Sequence, residues 1–152
     1  MKNLTAAISV LLLFSLSFFS CKKDRDVNPE NLIKGNWEEM DLNGLHRSLN
    51  FTKDNSFFLT IVLNDGSSIR FIGTYQIQGD RLNITTTEKL EQEPGKPVKR
   101  TATNYTLYEN ATFSIAGDIL NLNYTSYPAD APVNTPAKFR RMITIDEGGL
   151  IP

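Results

Sequence analysis

The sequence predicts an all-β protein, an antiparallel up-and-down β-barrel of about eight strands preceded by a short N-terminal helical turn. Short runs rich in Thr, Ile, Val, Phe and Tyr alternate with Gly, Asp and Asn, as strands alternate with tight turns. A ten-residue pattern with a central Gly-Asp pair occurs twice and predicts two hairpins. Eight to nine short strands form either a barrel or a sandwich, and closure into a barrel removes the exposed edges that invite aggregation.

The first twenty residues predict an export signal. Lys2 provides a positive start, and the apolar run at 4–19 is diluted by Ser and Thr. A membrane span needs about 20 predominantly apolar residues, so this run is too short and too polar for one. Ser20 before Cys21 resembles a bacterial lipobox, which implies cleavage before Cys21 and a diacylglycerol on its sulfur. The alternatives are a thiol that merely follows a secretory signal and an uncleaved N-terminal anchor.

Cys21 is the only cysteine of the chain, so no disulfide can form within it and the fold must depend on its core. One acyl chain anchors a protein only marginally, whereas a lipoprotein carries several. Residues 21–30 are therefore predicted to be a lipidated polar tether that attaches the protein to a membrane. Lys22 stands where Asp favours the inner membrane in the lipoproteins that this signal resembles. The predicted location is the cell envelope, with the outer membrane favoured, and the charged run at 22–24 resembles the tethers of surface-exposed lipoproteins.

A single barrel domain is predicted at 31–146, followed by a C-terminal tail at 147–152. The formal net charge of the chain is −1 and becomes one unit more negative when Lys2 leaves with the signal. No basic stripe is present, so no nucleic-acid partner is expected. Asn28 can cap a short helix that has Pro29 at its first position.

The two Gly-Asp hairpins have a register that their two-residue turns determine. In the first hairpin Ile77 is predicted opposite Leu82, and in the second Ile115 is predicted opposite Leu120. Each hairpin then has its aromatic and aliphatic side chains on one face and its Gln, Ser and Asn side chains on the other. Apolar pairs across the two strands are the unit that stabilises such a hairpin.

A third hairpin is predicted around the turn at 64–66. A three-residue loop places Ile61 opposite Ile69, whereas a two-residue loop would place Arg70 opposite Ile61. The three-residue loop is favoured because it keeps the apolar residues of both strands on one face. Further strands are predicted at Asn36–Asn43, Leu45–Thr52, Val98–Tyr108 and Ala137–Ile145, with a Pro-rich loop at Tyr127–Pro136 before the last of them.

The Gly35-Asn36-Trp37 sequence at the start of the first strand resembles the lipocalin and calycin superfamily, and most closely its short bacterial lipoproteins. The resemblance implies that Trp37 closes one end of an eight-stranded barrel and that an Arg near the last strand packs across it. Arg141 is the candidate because strand alternation puts it on the same face as Phe139, and its guanidinium would stack on Trp37 with a cation–π energy of about 0.5–2 kcal/mol. Arg140 is the alternative.

Residues suited to catalysis are scarce. His46 is the sole histidine, and with the one cysteine already assigned to lipid there is no partner for a zinc site or a Cys–His pair. The acidic residues Glu38, Glu39 and Asp41 are typical of a solvated rim, because a catalytic carboxylate pair needs burial to raise one pKa. No enzyme activity, cofactor or metal is therefore expected.

Two functions remain. In the first, the barrel binds a small hydrophobic or amphipathic ligand in an apolar pocket bounded by Trp37 at one end. In the second, side chains fill the barrel and the outside meets an envelope protein partner, with Phe58 and Val62 as a contact patch. The candidate cavity-lining residues are Phe57, Leu59, Ile61, Phe71, Tyr75, Ile77, Tyr105, Leu107, Phe113, Ile115, Leu120, Leu122 and Tyr124.

Overall fold

The computed structural model of the protein describes residues 29–142. The predicted export signal at 1–20, the lipidation site Cys21 and the predicted tail at 147–152 lie outside the described residues. The described part begins within the predicted tether and covers nearly all of the domain predicted at 31–146.

The described part contains a short α-helix, nine strands and a 3-10 turn at Pro128–Asp130. Pro29 occupies the first helical position, where its missing N–H has no consequence. Within this part of the chain, no helix is long and apolar enough to cross a membrane. The elements are α1 (Pro29–Ile33), β1 (Gly35–Glu39), β2 (Leu45–Phe51), β3 (Ser56–Leu63), β4 (Ser68–Gln78), β5 (Arg81–Gln92), β6 (Lys99–Leu107), β7 (Glu109–Ala116), β8 (Ile119–Ser126) and β9 (Val133–Arg141).

Eight strands form a closed antiparallel ring, which confirms the predicted fold class. The order around the ring is β1, β2, β3, β4, β5, β7, β8 and β9, and β9 pairs with β1 to close it. β6 pairs with β5 and stands outside the ring. The closed all-antiparallel barrel is consistent with the lipocalin-like fold that the sequence resembles.

The strand registers confirm the three predicted hairpins. Ile77 pairs with Leu82 in the first Gly-Asp hairpin, and the equivalent pairs form in the second. Ile61 pairs with Ile69, as the three-residue loop requires, and Gly66 supplies the positive φ of that loop. Turn chemistry and the alternation of apolar side chains therefore determine these registers locally.

The last strand begins earlier than the sequence predicts. β9 starts at Val133, so the loop predicted at Tyr127–Pro136 is shorter than expected. Pro136 lies inside the strand. Proline lacks the N–H that a central strand would need. The strand tolerates Pro136 because β1 pairs only with residues 139–141, which leaves this part of β9 with β8 as its one paired neighbour among the described strands.

A kink separates β6 from β7, where the sequence predicts a strand that ends at Tyr108. Tyr108 and Asn110 both have positive φ, 57° and 52°, which bulky residues rarely adopt. The kink lets β7 leave the line of β6 and pair with β8, while β6 continues along β5.

The barrel has two different ends. The end that contains Gly35, Arg141 and the two Gly-Asp turns is called the closed end, and the end that contains the turns at 64–67 and 93–98 is called the mouth. The core is concentrated towards the closed end. Its largest fully buried side chains are Trp37, Tyr75, Phe51, Phe57, Phe139, Ile33, Leu49, Leu82, Ile84, Leu120 and Leu122.

Candidate functional site

Trp37 and Arg141 meet at the closed end. The guanidinium carbon of Arg141 lies 4.1 Å from the centroid of the fully buried Trp37 ring. Arg141 Nη1 donates to the Lys34 carbonyl at 2.8 Å, and its Nη2 donates to the Leu32 carbonyl at 2.6 Å. The Trp37 indole N–H donates to the Ile33 carbonyl. Arg141 therefore connects the last strand to the C-terminal end of α1, where helix carbonyls lack partners within the helix.

Arg140, the alternative to Arg141, lies one position away in β9 and pairs in register with Glu38 of β1. Successive side chains of a strand point to opposite faces of the sheet. The structure thus brings Arg141 and Trp37 together and leaves the exposed Arg140 on the outer face.

Aromatic side chains fill the barrel at the closed end. The Phe51 ring lies 5.3 Å from the Phe57 ring and 5.0 Å from the Tyr75 ring, centroid to centroid, which is contact distance for aromatic pairs. Of the thirteen predicted lining residues, Phe57, Leu59, Tyr75, Phe113, Leu120 and Leu122 are buried in the core, while Ile61, Phe71, Ile77, Leu107, Ile115 and Tyr124 pack against it and Tyr105 is 45% exposed.

A polar layer, formed by Glu39, Arg47, Tyr108 and Tyr124, lies above this core. Arg47 Nη1 is 2.8 Å from Glu39 Oε2, and the Glu39 side chain is only 8% exposed. The rings of Tyr108 and Tyr124 are 4.6 Å apart. The Tyr108 hydroxyl and Arg47 Nε are inaccessible to solvent and have no hydrogen-bond partner among the described residues. This layer lies between the packed core and the mouth.

Burial changes the acid–base behaviour of the polar layer. It raises the pKa of the Glu39 carboxyl, an effect that the charge and hydrogen bond of Arg47 partly offset. Burial also raises the pKa of the Tyr108 hydroxyl, again with Arg47 acting in the opposite direction. Tyr108 therefore stays a neutral phenol at physiological pH.

The mouth cleft is a cleft of about 410 Å³ between the turns at 64–67 and 93–98. Its walls combine apolar and charged side chains, principally Leu63, Ile69, Glu91, Glu93, Lys96, Pro97 and Lys99, and Lys96 forms an ion pair with Glu93. The strand registers place Ile69 opposite Glu91 and Glu91 opposite Lys99, so these side chains form one row on the inner face. A ligand in this cleft would contact apolar groups and charges together.

Glu91 is shared by two lysines. Lys89 Nζ is 3.0 Å from one carboxylate oxygen of Glu91, and Lys99 Nζ is 3.7 Å from the other. Hydrogen bonding from Lys89, together with the two positive charges, holds the pKa of Glu91 below its usual range. The side chain of Lys99 is 75% exposed, so one cation of this row is only loosely held.

Half-exposed apolar side chains continue the inner face below the cleft. Ile61 and Phe71 are partly buried, and the Phe71 ring makes an edge contact with Tyr105 at 6.3 Å. Tyr105 and Phe71 belong to the residues predicted to line a cavity, and neither contributes to the lining of the mouth cleft. The predicted lining residues that stay partly accessible lie towards both ends of the barrel, with Ile61 and Phe71 on one side of the core and Ile77 and Ile115 beside the two Gly-Asp turns.

A second region of clefts runs along the outer face of β1–β3. One cleft of about 440 Å³ contains Phe58 and Met142, and a neighbouring cleft of about 250 Å³ contains Val62 and Met142. His46 lies beside the second cleft and its Nδ1 is 2.8 Å from Glu38 Oε1, with the imidazole 74% exposed. The predicted contact patch of Phe58 and Val62 thus lies on this outer face.

The sequence reasoning missed several residues of the site. Arg47 alternates with Leu49 and Phe51, so the argument that selected Arg141 would have selected it as well. The inner-face position of Lys89 and Glu91 had no such signal, because a bulge between Thr86 and Glu88 reverses the alternation. Among residues 29–142, no cluster of His, Cys, Asp and Glu side chains is suited to hold a metal ion.

The fold and the clefts define the class of protein, a closed antiparallel β-barrel with a filled closed end and an accessible mouth. The chain matches no protein-family model, and neither a curated protein nor a solved structure shows significant similarity to it.

Proposed function

We propose that the protein is a lipid-anchored envelope protein with a lipocalin-like barrel that binds a small amphipathic ligand at its mouth. The observation that carries this proposal is the mouth cleft. Its volume falls within the range of about 300–1,000 Å³ that is typical of small-molecule sites, and such sites occur at the mouths of β-barrels.

One loosely held cation of the cleft, Lys99, favours a ligand with an anionic group. Glu91 and Glu93 balance Lys96 and Lys99 in the lining of the cleft, but Lys89 holds the Glu91 carboxylate at 3.0 Å, whereas Lys99 Nζ is 3.7 Å from it. The exposed Lys99 can turn to an incoming anion while Lys89 keeps its contact with Glu91. Leu63, Ile69 and the nearby Phe71 offer apolar surface to the rest of the ligand, which is the combination that an amphipathic molecule needs.

The proposed anchor is compatible with this site. Cys21 precedes α1 by eight residues, which span about 30 Å at most when fully extended. Because α1 packs at the closed end, a tether that precedes α1 would join the barrel there, at the end opposite the mouth. Replacing Cys21→Ser should remove the protein from the membrane fraction, and a variant that still fractionated with membranes would contradict the lipid assignment.

Two neighbouring residues provide a sharp test of the site. Leu63 lines the mouth cleft and is 38% exposed, whereas Val62 faces the outer side of the same strand and is 40% exposed. The probe is anilinonaphthalene sulfonate, which has an apolar ring system and one sulfonate. It is titrated into the full chain, prepared without detergent or after detergent exchange, and its fluorescence reports binding. Leu63→Glu should weaken binding roughly tenfold or more, because one unfavourable contact of about 1.4 kcal/mol already changes an affinity tenfold.

Val62→Glu is the matched control, with the same added charge and nearly the same exposure. We expect it to leave the affinity for the probe within about twofold of the wild type. Equal losses in both variants, or a loss only in Val62→Glu, would place the probe outside the mouth and refute the proposed site.

The outer-face clefts support a second candidate function, an interaction module of the cell envelope. The specific observation is that Phe58, Val62 and Met142 border adjoining clefts on the side of the barrel away from the core. For this function Val62→Glu should abolish cross-linking to an envelope protein in intact cells, while Leu63→Glu should preserve it. The same two variants therefore separate the two functions.

A further inference from the structure

One edge of the sheet lacks a partner along its whole length. β6 pairs with β5 on one side, and no strand of residues 29–142 pairs with its other side. The kink at Tyr108 causes this, because β7 turns away to pair with β8 while β6 runs on beside β5. A free edge presents a row of backbone N–H and C=O groups that can pair with another strand.

β9 also has a partly free edge, and it carries a block that β6 lacks. The part of β9 that does not pair with β1 contains Pro136, which lacks an N–H and blocks strand addition. β6 contains neither proline nor glycine, and Thr101, Thr103, Tyr105 and Thr106 make up much of it. This composition suits continued strand pairing.

We propose that β6 pairs antiparallel with β6 of a second copy of this chain, centred on Thr103. This arrangement is a closed two-fold contact in which the same strand serves both copies. It joins the two sheets into one continuous sheet through the backbone groups of both edges. The contact needs no other protein and does not depend on the ligand proposed for the mouth.

The charges of β6 select this register. Pairing centred on Thr103 places Arg100 opposite Thr106 and Lys99 opposite Leu107 of the second copy, so no two cations face each other. It also places Thr103 opposite its own equivalent, and Thr–Thr pairs across strands are favourable. A parallel pairing in register would set Lys99 and Arg100 against their equivalents, which opposes like charges.

Two substitutions of Thr106 should shift the dimer dissociation constant in opposite directions. Its side chain is exposed on the outer face, so substitutions there leave the core intact. Thr106→Lys places two like-charge pairs with Arg100 in each dimer and should raise the dimer dissociation constant roughly 2- to 30-fold, given about 0.2–1 kcal/mol for each pair. Thr106→Glu places two opposite-charge pairs there and should lower the dissociation constant by a similar factor.

The measurement is sedimentation equilibrium of the full chain in detergent, with Thr74→Lys as the matched control. Thr74 is exposed on the outer face of β4, so Thr74→Lys adds the same charge away from the edge. A concentration-dependent dimer that the Thr106 variants shift in opposite directions, and that Thr74→Lys leaves unchanged, supports the proposal. A monomer at every concentration, or equal shifts for Thr106→Lys and Thr74→Lys, overturns it.

Amide hydrogen exchange of β6 identifies what covers the edge. The proposal predicts that half of the β6 amides, those on the free side, exchange slowly in the dimer and rapidly after dilution. Slow exchange that persists after dilution would show that another part of the same chain covers the edge. Slow exchange that requires a different protein would assign the edge to a heterologous partner, and either result overturns the self-pairing.

Discussion

Replacing Arg141→Met should destabilise the barrel by about 2–4 kcal/mol. The substitution keeps a side chain of similar length over Trp37 but removes the two hydrogen bonds to the Leu32 and Lys34 carbonyls. Hydrogen bonds from a charged donor contribute about 1.5–3 kcal/mol each, and the cation–π contact about 0.5–2 kcal/mol. The expected loss lies below the sum of these values, because the guanidinium is only part-buried and water can reach the freed carbonyls.

The assay is urea unfolding followed by circular dichroism and by the fluorescence of Trp37, which is the only tryptophan of the chain. Both probes should report one transition, with the midpoint lowered and the slope unchanged. Arg140→Met is the matched control, since it removes the same charge from the adjacent position on the outer face. Surface substitutions of this kind usually change stability by no more than about 0.5 kcal/mol.

Arg141→Lys gives a finer test of the same contact. The lysine keeps the charge but lacks the planar fork that reaches two carbonyls at once. We expect it to lose about half as much free energy of unfolding as Arg141→Met. A loss below 0.5 kcal/mol for Arg141→Met, or equal losses for Arg140→Met and Arg141→Met, would refute the claim that Arg141 ties the last strand to α1.

Two further predictions concern the barrel wall and its polar layer. Gly73→Ala would place a Cβ atom 2.0 Å from the Thr85 carbonyl oxygen, so the β4–β5 pair must shift and stability should fall by about 1–3 kcal/mol in the same assay; an unchanged midpoint would contradict this. Burial raises the pKa of Glu39, so the folded state holds this proton more tightly than the unfolded chain. Its contribution to stability is complete below the unfolded pKa of about 4.3 and is lost as the pH rises through the folded pKa. Glu39→Gln should remove this loss of stability with rising pH. If the free energy of unfolding of the two proteins changed in parallel above a pH of about 4.3, the raised pKa of Glu39 would be refuted.

The parts of the fold that the sequence predicts correctly are those that depend on local chemistry. The Gly-Asp turns and the loop at 64–66 set the strand offset, and alternation then assigns each side chain to a face, as Ile77 opposite Leu82 shows. The predicted Pro-rich loop was longer than the observed one, because Pro136 lies in β9. The strand tolerates this proline only because β9 has one paired neighbour there. That condition depends on which strands meet, which no local pattern reports.

The candidate site was less predictable than the fold. Twelve of the thirteen predicted lining residues belong to the core or pack against it, but the sequence does not show how densely Phe51, Phe57 and Tyr75 pack there. The kink at Tyr108 and the bulge beside Thr86 each change which side chains face inward or which strands pair. Both irregularities arise from backbone geometry, so the inner-face lysines and the free edge of β6 emerge only from the structure.

A crystal structure of the lipidated protein purified from its native envelope, with any bound molecule retained, tests the proposed ligand site most directly. We predict electron density for a small amphipathic molecule in the mouth cleft, with its anionic group within hydrogen-bond distance of Lys99 Nζ and its apolar part against Ile69. Density for a ligand between Trp37 and the polar layer would contradict this account. So would an empty mouth together with a protein segment bound across Phe58 and Val62.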